Sequence, residues 1–362
     1  MEKTPRSESI TSKLCRLYKS YGYERFKMNK FEEYSFYLEH KSFLGSENVI
    51  TFGDLDGRLM ALKPDITLSI AKNAIGGETR RVYYSESVYR PSYTVREFKE
   101  IKQIGLEHIG DVDTFAECET VLLAARSMEA LGGRYTLDLS HVGLVSSILD
   151  DVGFSDAERA VILDAVKKKD GGAIRSVCVA AGKDEKTAEI IASVSSIHGK
   201  FESAARDAEK LCISVGAKAA LEELCCVYDF LKAMGISENI NLDFSIINDM
   251  SYYNGIVFQG YLEGVPKSVL SGGRYDNLLA RMGKSGGACG FAVYPDLIDL
   301  YQSGGAADGA DVAVIYGDGD DIRKVGKYAD ALRDDGSVVV CAKRGEKIKA
   351  KKTVVFGEAA NE

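Results

Sequence analysis

The chain reads as an α+β protein: an antiparallel sheet flanked by helices, with a helical insertion and a small C-terminal α/β unit. Three observations predict it. Short apolar segments of period two come in neighbouring pairs joined by turn chemistry, the pattern of hairpins. Between 144 and 236 aromatics become rare, Ala, Lys, Asp and Glu dominate, and helix-period patterns follow one another. Beyond a stretch rich in Gly and Ala at 303–310, the last fifty or so residues alternate strand and helix signals. The domain organisation that follows is 1–302, containing the insertion at 144–236, and a small truncated unit at 311–362.

Taken in order, residues 8–20 form a helix with Ile10, Leu14, Leu17 and Tyr18 on one face and Gly22 just past its end. Residues 47–62 form a hairpin around Asp54-Leu55-Asp56-Gly57, and 64–74 return to helix. Val82–Tyr84 and Ser87–Arg90 are strand, with Lys102–Ile109 as the return. A helix at 113–131 turns Phe115, Cys118, Leu122 and Ala125 inward and stops at Gly132-Gly133. The insertion is predicted as helices at 156–168, 184–196, 199–211 and 216–234. Strands at 240–247 and 255–262 lead to a turn near Gly264-Val265-Pro266. Ser268–Ser271 then runs into Gly272-Gly273, a helix covers 274–282 and a strand 288–294. The tail reads strand 312–316, helix 320–334, strands 337–341 and 353–356.

Bulk chemistry narrows the function. The net charge is −8, which argues against a nucleic-acid binder. One basic run, Lys343–Lys352 with six Lys or Arg, reads either as a solvated surface or as a polyanion site. No apolar run approaches the ~20 residues of a membrane span. The start of the chain lacks a signal-peptide pattern, so a cytoplasmic location is expected. The eight cysteines form no C-x-x-C pair and are expected as buried free thiols. The four histidines lack metal spacing, so neither a metal nor a cofactor is expected.

Three stretches carry a resemblance. They are Leu62-Lys63-Pro64-Asp65-Ile66-Thr67, then Tyr89-Arg90 through Gln103-Ile104-Gly105-Leu106-Glu107-His108-Ile109-Gly110. The third runs from Met250-Ser251-Tyr252-Tyr253-Asn254-Gly255 through Gly272-Gly273-Arg274-Tyr275-Asp276 to Gly290-Phe291-Ala292. In this order they resemble histidyl-tRNA synthetase, a class II aminoacyl-tRNA synthetase. The resemblance implies that family's fold and a histidine pocket built from Asp65, Thr67, Arg90, Gln103, Glu107, Tyr252, Tyr253 and Tyr275. The residue types suit that ligand. Asp65 and Glu107 meet an ammonium as charge-assisted acceptors. The hydroxyls of Tyr253 and Tyr275 serve either imidazole nitrogen, and Gln103 serves the ligand's carboxylate or amine.

The same alignment leaves gaps. Of three arginines that the synthetases use on ATP, Arg90 is kept, but the other two fall on Asn248 and Leu297. Losing one such transition-state group costs about 10²–10³ in rate. Asp249 and Asp296 nearby further disfavour a triphosphate, and the tail is short for an anticodon-binding domain. A histidine pocket without the chemistry resembles the regulatory subunits of ATP phosphoribosyltransferase. Two further stretches are similar to theirs, Ser251-Tyr252-Tyr253-Asn254-Gly255-Ile256-Val257-Phe258-Gln259-Gly260-Tyr261 and Leu137-Asp138-Leu139-Ser140-His141-Val142-Gly143. Asn254 and Gln259 depart from that family's pattern, as does the loss of prolines near Met28-Asn29 in a segment that forms a dimer interface in class II enzymes. The resemblance implies a non-enzymatic protein that self-associates as a dimer within a hetero-octamer. Its partner would be the short-form catalytic subunit, which it activates, with histidine feeding back as inhibitor. The rival readings are an active histidyl-tRNA synthetase and a stand-alone synthetase paralogue that binds tRNA.

Overall fold

The computed structural model of the protein describes residues 6–44, 49–92, 96–212, 214–247, 252–302, 310–346, 348 and 350–357. The chain divides into two units: Ile10–Asp296, and a second holding the described residues before Ile10 and from Leu297 onward.

The strands of the first unit are β1 (Glu24–Arg25), β2 (Phe31–Glu33), β3 (Thr51–Gly53), β4 (Leu59–Leu62), β5 (Arg80–Ser92), β6 (Glu97–Gly110), β7 (Tyr135–His141), β8 (His198–Lys200), β9 (Ile240–Asp243), β10 (Ile256–Leu262), β11 (Leu270–Arg274) and β12 (Gly287–Val293). Its helices are α1 (Arg6–Ser20), α2 (Tyr34–Glu39), α3 (Thr67–Asn73), α4 (Thr114–Leu131), α5 (Val142–Val152), α6 (Asp156–Lys167), α7 (Gly171–Ala180), α8 (Glu185–Val194), α9 (Phe201–Glu209), α10 (Val215–Ala233) and α11 (Asp276–Arg281), with α12 (Pro295–Gln302) at the junction. Nine strands make one sheet in the order β1-β5-β6-β12-β11-β10-β7-β9-β8, and β2, β4 and β3 make a small second one.

The central run from β5 to β7 is antiparallel throughout, but β1–β5 and β7–β9 pair parallel. The sheet is antiparallel through its centre, as expected, and mixed as a whole because of these two pairs. Parallel neighbours need a long crossover, and the helical insertion is that crossover between β7 and β9. Both faces of the centre are covered. From Gln103 to Gly110 every residue of β6 is buried, as in a strand packed on both sides. On one face α3 and α11 pack with Val82, Tyr84, Val88, Ile109 and Ala288 of the sheet. On the other, α4 meets Cys289 through Ala116, and Tyr18 of α1 lies edge-on to Phe291 and bonds Ser127 of α4 at 3.0 Å.

Several elements differ from the sequence reading. Phe115 does not face inward: Asp113 caps α4, accepting from the Ala116 N–H at 2.8 Å, which turns Phe115 out to an edge contact with Phe230 of α10. Cys118, Leu122 and Ala125 are buried as expected. Helix α7 was hidden by Lys169-Asp170-Gly171-Gly172, which reads as a breaker, yet Asp170 is its N-cap and only Ile174 and Cys178 are buried. The predicted helix at 199–211 begins instead as the edge strand β8. Residues 244–247 are not strand, because β9 ends at Asp243, whose carboxylate accepts from the Ser245 N–H and hydroxyl.

The smaller unit contains β13 (Ala310–Tyr316), α13 (Ile322–Asp334), β14 (Val339–Lys343) and β15 (Ala350–Val355), a parallel sheet in the order β14-β13-β15 with Val314, Val325, Ala329 and Val339 at its core. Ala310 belongs to β13, and the rest of the Gly- and Ala-rich stretch, 303–309, lies outside the described residues. In the basic run Lys343 pairs with Asp318 and Lys351 with Asp311, while Lys347 and Lys349 lie outside the described residues. Cys118, Cys178, Cys212 and Cys289 are buried, but Cys226 and Cys341 are exposed, so burial does not account for every thiol. Among the described residues no helix is long and apolar enough to cross a membrane.

Candidate functional site

Strand alternation opens a hollow in the sheet. It sends Gln103, Gly105 and Glu107 of β6 to one face. Register sets Gly290 of β12 opposite Glu107 and Ala292 opposite Gly105; on β11 it sets Gly273 opposite Gly290 and Ser271 opposite Ala292. Small side chains thus cluster where large ones would fill the face. A Cβ on Gly290 would strike the Glu107 carboxylate and the Leu106 carbonyl, and one on Gly105 would strike the Phe291 carbonyl.

Larger residues wall this floor. Asp65 and Thr67 come from the start of α3, Tyr84 and Arg90 from β5, and Tyr252 and Tyr253 from the approach to β10. Tyr275 follows β11, Tyr294 follows β12, and Phe43 closes one side. The cavity holds about 190 Å³. Sites for drug-sized ligands hold about 300–1,000 Å³, so this one suits a molecule the size of an amino acid rather than a nucleotide.

Glu107 is the hub of its polar wall. It accepts from the Thr67 hydroxyl at 2.8 Å and from Tyr84 at 3.4 Å, and Tyr275 donates to its other oxygen. Burial pushes its pKa up to about 8; the Tyr275 and Thr67 bonds pull the other way, and Asp65 adds to the rise. Burial also raises Asp65, opposed chiefly by Arg90, whose Nη2 lies 3.8 Å from it. Asp65 further accepts from the Leu68 N–H at 2.8 Å, and Arg90 Nε donates to the Pro64 carbonyl at 2.9 Å. The phenols of Tyr84, Tyr252 and Tyr275 are held well above their usual range, first by burial, and stay neutral. The rings of Tyr252, Tyr253 and Tyr275 lie 4.7–6.4 Å apart. Two carboxyl groups beside an aromatic box can take an ammonium and a flat ring. Arg90 is the one cation among the described lining residues.

All eight candidate residues line this cavity. The Tyr275 hydroxyl is already engaged with Glu107 rather than free for a ring nitrogen. Sequence reasoning missed Phe43, Tyr84, Ser271 and Tyr294. Tyr84 could have been found, since it shares strand parity with Arg90. Ser271 bonds the Tyr294 hydroxyl at 2.9 Å, a contact that only the β11–β12 pairing creates. Asp296 does not line the cavity; its carboxylate accepts the Lys102 N–H at 2.9 Å and is exposed. Leu297 is half-buried, while Asn248, Asp249, Met250 and Ser251 lie outside the described residues.

Comparison with known proteins matches this geometry to a family. A family model described as histidyl-tRNA synthetase matches residues 2–298. An ATP phosphoribosyltransferase regulatory subunit from Clostridium kluyveri is 28% identical over 340 residues, which are 90% of this chain and 86% of that protein. A crystal structure described as an ATP phosphoribosyltransferase regulatory subunit/histidyl-tRNA synthetase, from Bacillus halodurans, superposes with a TM-score of 0.74 at 23% identity, covering 98% of this chain and 96% of that one. The ATP phosphoribosyl transferase (HisG:HisZ) complex from Thermotoga maritima offers a chain with a TM-score of 0.62 at 16% identity, covering 79% of this chain and 96% of that one.

Proposed function

The chain belongs to the histidyl-tRNA synthetase family, and from that premise we propose that it is the non-catalytic regulatory subunit of an ATP phosphoribosyltransferase, holding free histidine in its synthetase-like pocket. One observation carries the reading. Asp65, Glu107 and three tyrosines converge on a cavity of amino-acid size in which Arg90 is the sole cation among the described lining residues. Such a wall suits an ammonium and an imidazole, and it offers little to a triphosphate. The relative from Clostridium kluyveri supports the subunit role over the synthetase role.

In this reading Asp65 and Glu107 take the histidine ammonium, with Thr67 orienting Glu107. Gln103 and Arg90 serve its carboxylate, and Tyr252, Tyr253 and Tyr275 surround its ring. Residues 1–302 make up the histidine-binding domain and 311–362 a small α/β appendage. The chain acts in the cytoplasm as a dimer within a hetero-octamer, activating the short-form catalytic subunit. Histidine inhibits because it binds one state of the assembly more tightly than the other, which is the only way a ligand shifts an equilibrium.

The test is the phosphoribosyltransferase rate of the short-form catalytic subunit, alone and with this chain, with and without histidine. Activation by the chain and inhibition by histidine are expected. An unchanged rate would overturn the reading in favour of a tRNA-binding paralogue. Histidine-dependent ATP–pyrophosphate exchange by the chain alone would return it to the active synthetases.

A further inference from the structure

A second cavity lies at the opposite end of α3 from Thr67. It holds about 340 Å³ and is lined by Lys27, Lys63, Lys72 and Arg80, with Glu32 the one acid among the described lining residues. Four cations against one carboxylate leave a charge of +3 on its wall. Lys63 is only 4% exposed, yet its ammonium sees Glu32 at 3.8 Å and makes no hydrogen bond among the described residues. Glu32 is shared, lying 3.0 Å from Lys72. Glu86 also acts on Lys63, though more weakly than Glu32. The Lys63 ammonium therefore opens on the cavity beside one shared carboxylate with Lys72 close by, and an anion in the cavity would relieve that crowding of like charge.

Helix polarity does not oppose an anion here. The carbonyls that end α3 are already taken: Lys284 Nζ donates to those of Ala71, Lys72 and Ala74, each at 2.6 Å, and Arg80 to that of Asn73 at 2.9 Å. The negative end of the helix is therefore capped before a ligand arrives.

We propose that this cavity is a binding site for a small phosphate-bearing anion. A carboxylate would offset only one of the surplus charges, whereas a phosphate near neutral pH carries about −1.5 to −2 and several strong acceptor oxygens. Lysines act as point charges toward such a group, and the Arg80 guanidinium adds a planar fork. The site also touches the histidine pocket through the chain. Lys63 stands two residues before Asp65, and Lys72 is in the last turn of the helix whose first residue, Thr67, bonds Glu107. The assignment does not depend on what the first pocket holds.

Titration calorimetry at fixed ionic strength tests it, using inorganic phosphate, pyrophosphate and ribose 5-phosphate, with sodium acetate as control. Saturable binding of phosphate is expected, tighter for pyrophosphate, and absent for acetate. Lys27→Ala, in a chain that light scattering shows to keep its oligomeric state, should weaken it about tenfold, the loss of one charge-assisted hydrogen bond. Glu32→Gln should tighten it by removing the competing carboxylate, and Lys63→Met should abolish it in a chain of unchanged circular dichroism. Tighter binding of ribose 5-phosphate than of phosphate would identify a sugar phosphate as the natural ligand; equal or weaker binding would identify the free anion. No saturable heat with any of the three, or affinities unmoved by both Lys27→Ala and Glu32→Gln, would overturn the proposal.

Discussion

Glu107 sits where burial, hydrogen bonding and ligand charge act on one proton. Burial pushes its pKa up to about 8, which favours the protonated acid at pH 7. An arriving ammonium favours the ionised form, and histidine binding should therefore expel a proton near neutrality. Calorimetry in buffers of different ionisation enthalpy should show a heat of binding that tracks the buffer. Glu107→Gln should lose that dependence along with at least about tenfold in affinity, as expected for a lost charge-assisted bond. An equal buffer dependence in the variant would assign the proton to another group. Residues of this kind were legible because their types and spacing recur as a motif. Tyr84 was legible through its strand parity with Arg90, but Ser271 and Tyr294 were not, because their contact comes from the pairing of β11 with β12. Asn248 and Leu297 were legible only as departures, a statement about chemistry withheld rather than geometry supplied.

Among the elements, α3 carries the most for its length. Its N-terminal end supplies Thr67 and its C-terminal end is gripped by Lys284 from the loop after α11. Lys284→Met should strip three carbonyls of their donor and lower stability by about 1–3 kcal/mol. Thermal melting would measure it, and a change in histidine affinity should accompany it, because the shift reaches Thr67. The insertion is tied down differently: His141, at the end of β7, meets Glu223 of α10 at 2.9 Å. Element types were read well wherever periodicity was strong, as in α4 and α10. They failed where a polar cap masqueraded as a break, as at Asp170, or where three residues joined a sheet edge, as at β8. Local pattern cannot report an edge pairing whose partner, β9, lies some forty residues away.

At the scale of the whole molecule, buried acids set the response to pH. Burial raises Asp65, Glu107, Glu117, Glu119 and Asp138. An acid raised on folding makes the native state bind more protons than the unfolded chain, so stability declines as pH rises through its folded value. For Glu107 that window runs from its ordinary range up to about 8. Exposed acids held down by partners, such as Glu189 with Arg175 and Glu202 with Lys232, act oppositely; their contribution is lost as pH falls through their lowered values. The melting temperature should therefore peak on the mildly acidic side and fall between about pH 5 and 8. Glu107→Gln should flatten the fall, and a wild-type curve that climbs through neutrality would contradict it.

The glycine floor gives the pocket a kind of permanence. At Gly105 and Gly290 the neighbouring strands approach so closely that one added carbon would meet backbone oxygen, not merely a movable side chain. Selection on the sheet alone forbids filling the hollow, whether or not anything is bound there. Catalytic arginines can drift away from the rim of such a site while its volume stays open. The hollow is thus a by-product of how tightly the strands are laid together, and it would stay open under any change of side chains on its rim.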